Sequence, residues 1–369
     1  FFTKERLIPL LILPGTSSPH VPDNLFLSRQ PSSLKNLAQD WIVELSSKSK
    51  KNEAIEQSAD RLNSKVEQIS NLLNLSQLID HIPPQIKHLI IVPHNYLHFF
   101  PLHAIWLNKQ QNQRLIDRFS VSYFPSLQIW KICQQRQRQN TVLMGVENPT
   151  QDKDLIFAQA EIVSISQRQQ FTQQRILRGE QASKTEILQT ATDLHCFHFS
   201  GHAEYNFDHP LDSYLMFSEN REENITLRTI FAELHMPKAD LVTLSACCTG
   251  VVDAFEPTEE HLGISTGFLL AGAKAVIGSQ WKVNSISTAF FFDEFYRQLE
   301  QINNKAIALQ KAQQWLRQCT ADQLRARAES WKSRLESKEQ FYLDRTLRRL
   351  QDIPFKNPYY WAAFILIGC

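Results

Sequence analysis

The stretch Asp240-Leu-Val-Thr-Leu-Ser-Ala-Cys247-Cys-Thr-Gly250 decides how this chain is read. Its first half is an apolar-rich run of strand length, and it stops at a cysteine followed at once by small and polar residues. A second stretch, Phe197-His-Phe-Ser-Gly-His202, has the same form and leads to a histidine just past its end. Short apolar runs of this kind fit strands of a parallel sheet, and open α/β sheets keep their ligands at the carboxyl ends of their strands. A thiol and an imidazole delivered to the same edge can make a nucleophile and its base.

Working outward, the second half of the chain alternates strand and helix. A serine cap at Ser183, with Glu186 three residues on, opens a short helix. Strands are expected at 193–200, 241–246 and 275–279, and helices at 225–234, 262–271, 287–301 and 305–318. That alternation implies parallel pairing. The end, 358–368, reads as one last buried strand. In the first half, 7–13, 88–92 and 140–146 read as strands, and 32–79 as mostly helical, with 48–56 a charged loop or helix end. The basic stretch from about 320 to 350 interleaves acids with its arginines, so it reads as a solvated helix pair rather than a nucleic-acid face.

At 369 residues two subdomains are expected, and 43% hydrophobic content is enough for a sizeable core. A net charge of +1 gives no reason to expect nucleic acid or an anionic membrane as partner. No apolar run is long enough to span a bilayer. Six cysteines without regular spacing do not make a disulfide framework, which points to a reducing cytoplasm. The chain opens on Phe-Phe, which reads as a domain excised from a longer protein. There is no CxxC, HExxH or phosphate-binding glycine loop. His94, His98 and His103 have no cysteine or acid at ligand spacing, so neither metal nor cofactor is expected.

Cys247 lies 45 residues after His202, and this order and gap fit the caspase pattern, with Ser245-Ala-Cys-Cys-Thr-Gly250 a looser form of its cysteine string. Gly201 and Gly250 are expected to permit tight turns beside the two residues. Cys248 is the rival thiol, and alternation along an extended chain would aim it away from Cys247. His195 and His198 read as buried, hydrogen-bonded histidines. His209 and His261 read as loop residues. Charged candidates for a specificity pocket, namely Asp212, Asp253, Glu256 and Lys282, disagree in sign. The acidic loop 253–260 reads either as an activation segment or as a solvated connection.

Several motifs in order give the chain a family resemblance. Leu89-Ile-Ile-Val-Pro-His-Asn-Tyr-Leu-His-Phe-Phe-Pro-Leu-His-Ala104, Asp117–Ser126, Leu177–Lys184 and Pro210-Leu-Asp-Ser213 are four of them. Leu244-Ser-Ala-Cys-Cys-Thr-Gly250, Gly267–Gly278, Trp281-Lys-Val283 and Tyr359-Tyr-Trp-Ala-Ala-Phe364 complete the set. Together they resemble the CHAT domain, a caspase-like cysteine peptidase module associated with tetratricopeptide repeats. The resemblance implies a caspase-like three-layer α/β/α sandwich with a mostly parallel sheet. An inactive, degenerate caspase-like subdomain (1–139) would precede a catalytic one (140–369).

Carried over by position, His202 and Cys247 resemble the catalytic pair, with an oxyanion hole from the backbone N–H groups of Cys247 and Ala203. The segment 275–283 would line the cleft and pair with an extended protein substrate. Asp212, Trp281, Lys282 and Val283 are its expected contacts. Two positions depart from the family: Ala203 stands where glycine is usual, and Cys248 where glutamate is common. The alanine keeps the backbone donor but adds a methyl, which bears on φ and on room for an oxyanion.

The resulting expectation is a regulatory cysteine endopeptidase that cleaves specific protein partners. Its control would come from an attached repeat or sensor region. A catalytically weak or inactive binding or scaffold module is the alternative, and acyl transfer through the same thiol is a third reading.

Overall fold

Three of the expected strands lie side by side in a computed structural model that describes residues 3, 5–16, 18–22, 25, 27–28, 30–46, 55–136, 141–152, 155–251 and 263–369. In chain order the strands are β1 His88–Ile91, β2 Trp106–Asn108, β3 Gln113–Arg114, β4 Ser120–Tyr123, β5 Val142–Glu147, β6 Gln173–Arg178, β7 Cys196–Ser200, β8 His202–Glu204, β9 Tyr214–Met216, β10 Ile225–Thr226, β11 Leu241–Ser245, β12 Ala275–Ser279 and β13 Phe364–Gly368. Eight of them form one sheet in the order β1-β4-β13-β12-β11-β7-β5-β6. Every neighbouring pair is parallel except β12 with β13. A short antiparallel sheet, β8-β9-β10, follows directly on β7.

Helices cover both faces of the large sheet, and the alternation of β7 shows which. Phe197 stacks on Phe268 of the helix Ile264–Leu270, with ring centroids 6.0 Å apart. The next residue, His198, points the other way and meets Phe292 of the helix Ser285–Ile302 edge-on at 5.0 Å. Residues adjacent in a strand face opposite sides, so the molecule is a three-layer α/β/α sandwich. The long helix Ser285–Ile302 is capped by Asn284 and buries Phe290, Phe291, Phe292, Phe295 and Tyr296. Each such aromatic removed from water contributes about 2–3 kcal/mol.

The strands β7, β11 and β12 are buried along their whole length, as continuous apolar runs predict. The last helices, Ala321–Lys332 and Ser337–Arg348, form the expected pair, and several of their charges are partnered. Arg327 reaches Asp293 and Glu294, and Lys332 reaches Asp344.

Two expectations need correction. The run 7–13 is not a regular strand: among the described residues it carries the isolated bridges Leu7 to Ser28 and Leu11 to His20. Pro9 and Pro14 lack the N–H that a ladder requires. The terminal run 358–368 is also not one strand. Asn357 caps a helical turn at Pro358–Trp361, and only Phe364–Gly368 is extended.

The antiparallel direction of β13 matters for the site. Phe364, at its amino end, pairs with Ser279 at the carboxyl end of β12, and Gln280 N–H donates to Ala363 O at 2.9 Å. The turn at 358–361 therefore arrives on the edge where β5, β7, β11 and β12 end. On the far side of β13, Tyr123 stands beside Ile367 and brings β4 and β1 into the same sheet across the 139/140 boundary.

Candidate active site

The site is assembled at the carboxyl edge of four parallel strands. Ser245 of β11 pairs with Ser200 of β7, and Gly201 N–H continues the ladder to Ser245 O at 3.3 Å. His202 and Cys247 thus each lie two residues beyond a register-matched pair. Parallel neighbours are about 4.8 Å apart, so one edge presents both groups. The thiol's hydrogen bond comes from the Val283 backbone, and the imidazole's partner is a carboxylate, so register places the two residues on one edge while each side chain bonds elsewhere.

That carboxylate is Asp152, a residue the sequence reading passed over. His202 Nε2 lies 2.9 Å from Asp152 Oδ2, with both side chains partly exposed, at 31% and 41%. An ionised carboxylate only accepts, so a neutral His202 carries its proton on Nε2 and leaves the Nδ1 lone pair free. Asp152 is held by Asn148, which follows β5 in the left-handed region at φ 41°. Asn148 Oδ1 accepts from Asp152 N–H at 3.0 Å, and its Nδ2–H donates to Asp152 O at 2.9 Å. Asn148 N–H in turn donates to Ser200 O at 2.8 Å. Asparagine tolerates this conformation, and its amide supplies both contacts. The loop sits where the strand order reverses between β6-β5 and β7, which is where doubly wound sheets place ligands.

The turn around Cys247 is bolted to β12. Ser279 N–H donates to Thr249 Oγ1 at 3.0 Å, Ser279 Oγ–H to Ala246 O, and Gly250 N–H to Ser279 O at 2.8 Å. Ser265 Oγ–H donates to Thr249 O at 2.7 Å. A Cβ on Gly250 would stand 3.1 Å from the Gly278 carbonyl carbon, and one on Gly201 2.6 Å from the Phe199 ring. These glycines are needed for close approach; neither has a positive φ. Cys248 is the residue with one, at 57°. Its side chain is therefore turned from Cys247 by a left-handed turn, not by strand alternation, and it packs partly buried against the core.

Although Cys247 is only partly buried as a residue, its thiol is packed deeply enough that burial pushes it above the ordinary range. The Val283 hydrogen bond and the Lys282 charge pull it back in part. Cys248 is also raised, first by burial and then by a charge on Cys247. Tyr359 is near enough for Cys247 to reinforce the effect of burial on its phenol.

The remaining expected contacts are scattered. Trp281 is buried at 2% exposure, donates Nε1–H to Tyr359 O at 3.0 Å, and meets Trp41 edge-on. Lys282 is exposed, and Asp212 faces Arg228 at 3.4 Å on an exposed turn. Ala203 stands opposite Leu215 in the short sheet with its methyl against the core, and its φ is not positive. The alanine therefore strains nothing. The expectation that 275–283 pairs with a substrate needs correction for its first part: β12 already has β11 and β13 on either side, so only the run beyond Gln280 is left. Asp253, Glu256, His261 and the loop 253–260 lie outside the described residues.

His195 and His198 are internal. His195 Nδ1 lies 3.0 Å from Thr141 Oγ1, and His198 is wholly buried between Glu161 and Thr243. Among the described residues no three histidine, cysteine or acidic side chains are grouped to hold a metal ion. No helix among them is long and apolar enough to cross a membrane.

A doubly wound sheet with a histidine and a cysteine just past two adjacent strand ends defines a three-layer α/β/α fold with one candidate site at its carboxyl edge. The chain belongs to the CHAT domain family, whose model matches residues 64–369. No curated protein matches the chain. Among solved structures it is similar to Saccharomyces cerevisiae separase in complex with securin, at 12% identity and a TM-score of 0.48. That match covers 91% of this chain but only 22% of the separase chain. It is also similar to gingipain R, described as an Arg-specific cysteine proteinase, at 10% identity and a TM-score of 0.48, covering 92% of this chain and 74% of the other. A complex of Porphyromonas gingivalis RgpB pro- and mature domains matches at 10% identity and 0.45, covering 92% and 76%.

Proposed function

We propose that the chain is a cysteine endopeptidase acting on protein partners through Cys247 and His202. The observation that carries the reading is the shared register of Ser200 and Ser245, each two residues before one of these groups. Burial keeps the resting thiol protonated, so the proton must leave as attack begins. His202 Nδ1 takes it, Asp152 stabilises the imidazolium, and the sulfur adds to the scissile carbonyl to give a tetrahedral oxyanion. His202 then gives the proton to the amine as the C–N bond breaks, leaving a thioester that water hydrolyses. The Cys247 and Ala203 backbone N–H groups are the proposed oxyanion donors. An extended substrate would run beside Lys282 and Val283.

One observation favours a second reading, a binding or scaffold module. The thiol is raised rather than lowered, which is unlike a preformed thiolate. An electrophilic peptide probe separates the two, because a pure binder would label Cys247 no faster than free cysteine.

The deciding experiment compares wild type with Cys247→Ala and Cys248→Ala in lysate from the native host, scanned for new protein termini. Termini lost only with Cys247→Ala would support the proposal and reveal the cleavage preference. Termini lost only with Cys248→Ala would move the nucleophile. Full-length protein giving no termini in any form would overturn the peptidase reading.

A further inference from the structure

Beneath the strand ends lies a buried polar cluster that the proposed reaction does not use. Glu161 sits in the helix Ala158–Ser166, which is buried along almost its whole length, and is itself 2% exposed. Its Oε2 accepts from Ser245 Oγ–H at 3.0 Å and from Ser200 Oγ–H at 3.3 Å. Its Oε1 lies 2.6 Å from His198 Nε2. His198 Nδ1 lies 2.6 Å from Thr243 Oγ1, which contacts Tyr296 OH at 2.7 Å. Ser200 with Ser245, and His198 with Thr243, are register partners in β7 and β11. One carboxylate therefore ties the same two strands together at two successive rungs on one face.

A buried carboxylate is a costly way to fix a helix to a sheet. Its desolvation is several kcal/mol, and well-packed apolar side chains of similar volume would often do as well or better. An apolar contact, however, leaves the backbone ladder alone to hold two strand ends against each other. A carboxylate gripping a hydroxyl from each does not. The two hydroxyls it grips are the last residues of the strands that deliver His202 and Cys247.

We propose that Glu161, acting through Ser200 and Ser245, is a positioning residue that sets His202 against Cys247. The inference rests on the reading of these two residues as a reacting pair, and the test separates the two ideas. Cys247 alkylation by iodoacetamide is followed by mass spectrometry from pH 5 to 10 in wild type, His202→Ala, the double variant Ser200→Ala/Ser245→Ala, and Glu161→Gln. A wild-type profile with a limb that His202→Ala lacks establishes the pair. The double serine variant, with a melting temperature within a few degrees of wild type, is then expected to lose at least about tenfold in rate on that limb. Its profile should approach that of His202→Ala. Ser200→Thr/Ser245→Thr, which restores both hydroxyls, should recover most of the rate.

A double serine variant that keeps the wild-type profile would overturn the proposal, whatever it does to stability. If Glu161→Gln does not fold, the serine variants decide alone. If wild type and His202→Ala share one profile, the reacting pair itself is wrong and the positioning role falls with it.

Discussion

Asp152 Oδ2 lies 2.9 Å from His202 Nε2, although the two residues are 50 apart in sequence and on different strands' ends. The contact fixes the ring orientation and the tautomer together, since only a protonated Nε2 can donate to the carboxylate. Asn148 makes the arrangement possible by turning the chain at φ 41° and holding Asp152 through both its amide atoms.

Asp152→Asn is expected to lower kcat/KM on a cleaved peptide, or the rate of electrophile labelling, by roughly tenfold to a hundredfold. Partial exposure of both side chains keeps the effect below that of a buried triad member. Rates within twofold of wild type would remove Asp152 from the site.

Lys282 acts on the thiol through charge alone, and it is exposed. Lys282→Met should slow Cys247 alkylation near pH 8 by about two- to fivefold, as expected for a screened surface interaction. Lys282→Arg should not. Added salt should slow wild type and leave Lys282→Met nearly unchanged, because screening acts only where the charge is present. Equal salt dependence in both would refute the coupling.

His103 should make the fold acid-sensitive. Burial, with the nearby Arg114 charge adding to it, depresses this imidazole from 6.5 to about 3. It is 2% exposed and sits between Tyr123 OH at 3.0 Å and Gln313 Nε2 at 3.2 Å. The unfolded chain binds a proton below pH 6.5 that the folded chain does not. The stability this group contributes is therefore present above pH 6.5 and lost as pH falls below it. At pH 5 the loss is about 2 kcal/mol. Urea unfolding at pH 7 and pH 5 should show that loss in wild type and a smaller one in His103→Gln. Identical losses would point to other groups.

Gly250→Ala is expected to cost about 1–3 kcal/mol, because its Cβ meets the Gly278 and Ser279 backbone at 3.1–3.2 Å and would push that backbone by a few tenths of an ångström. Thermal melting together with Cys247 labelling checks this. An unchanged melting temperature would mean the turn has more room than its geometry shows.

How far the sequence could be read follows from burial. The strands β7, β11 and β12 are covered on both faces, so their apolar runs were unbroken and legible. The edge strand β6, Gln-Gln-Arg-Ile-Leu-Arg, is largely exposed and leaves no such run. Strands β2, β3, β8, β9 and β10 have two or three residues each, too few for a period to register. In the site, His202 and Cys247 stood out because each followed an apolar run. Asp152 sits in a polar loop past Asn148-Pro149, where nothing in the residue pattern marks it. Glu161 did leave a signal: a carboxylate within Ala-Gln-Ala-Glu-Ile-Val-Ser-Ile, eight residues that are all buried. An acid in such a setting needs internal partners, and that was the clue available.

The burial that holds Cys247 protonated has a consequence for the lifetime of the molecule. Peroxide and disulfide exchange act on thiolates, and each step up the sulfenic, sulfinic and sulfonic ladder starts from one. A sulfur kept neutral by the packing around it gives oxidants little to attack. On the proposed mechanism, the same packing that makes the resting thiol slow to react would let it persist undamaged until a substrate draws the proton away.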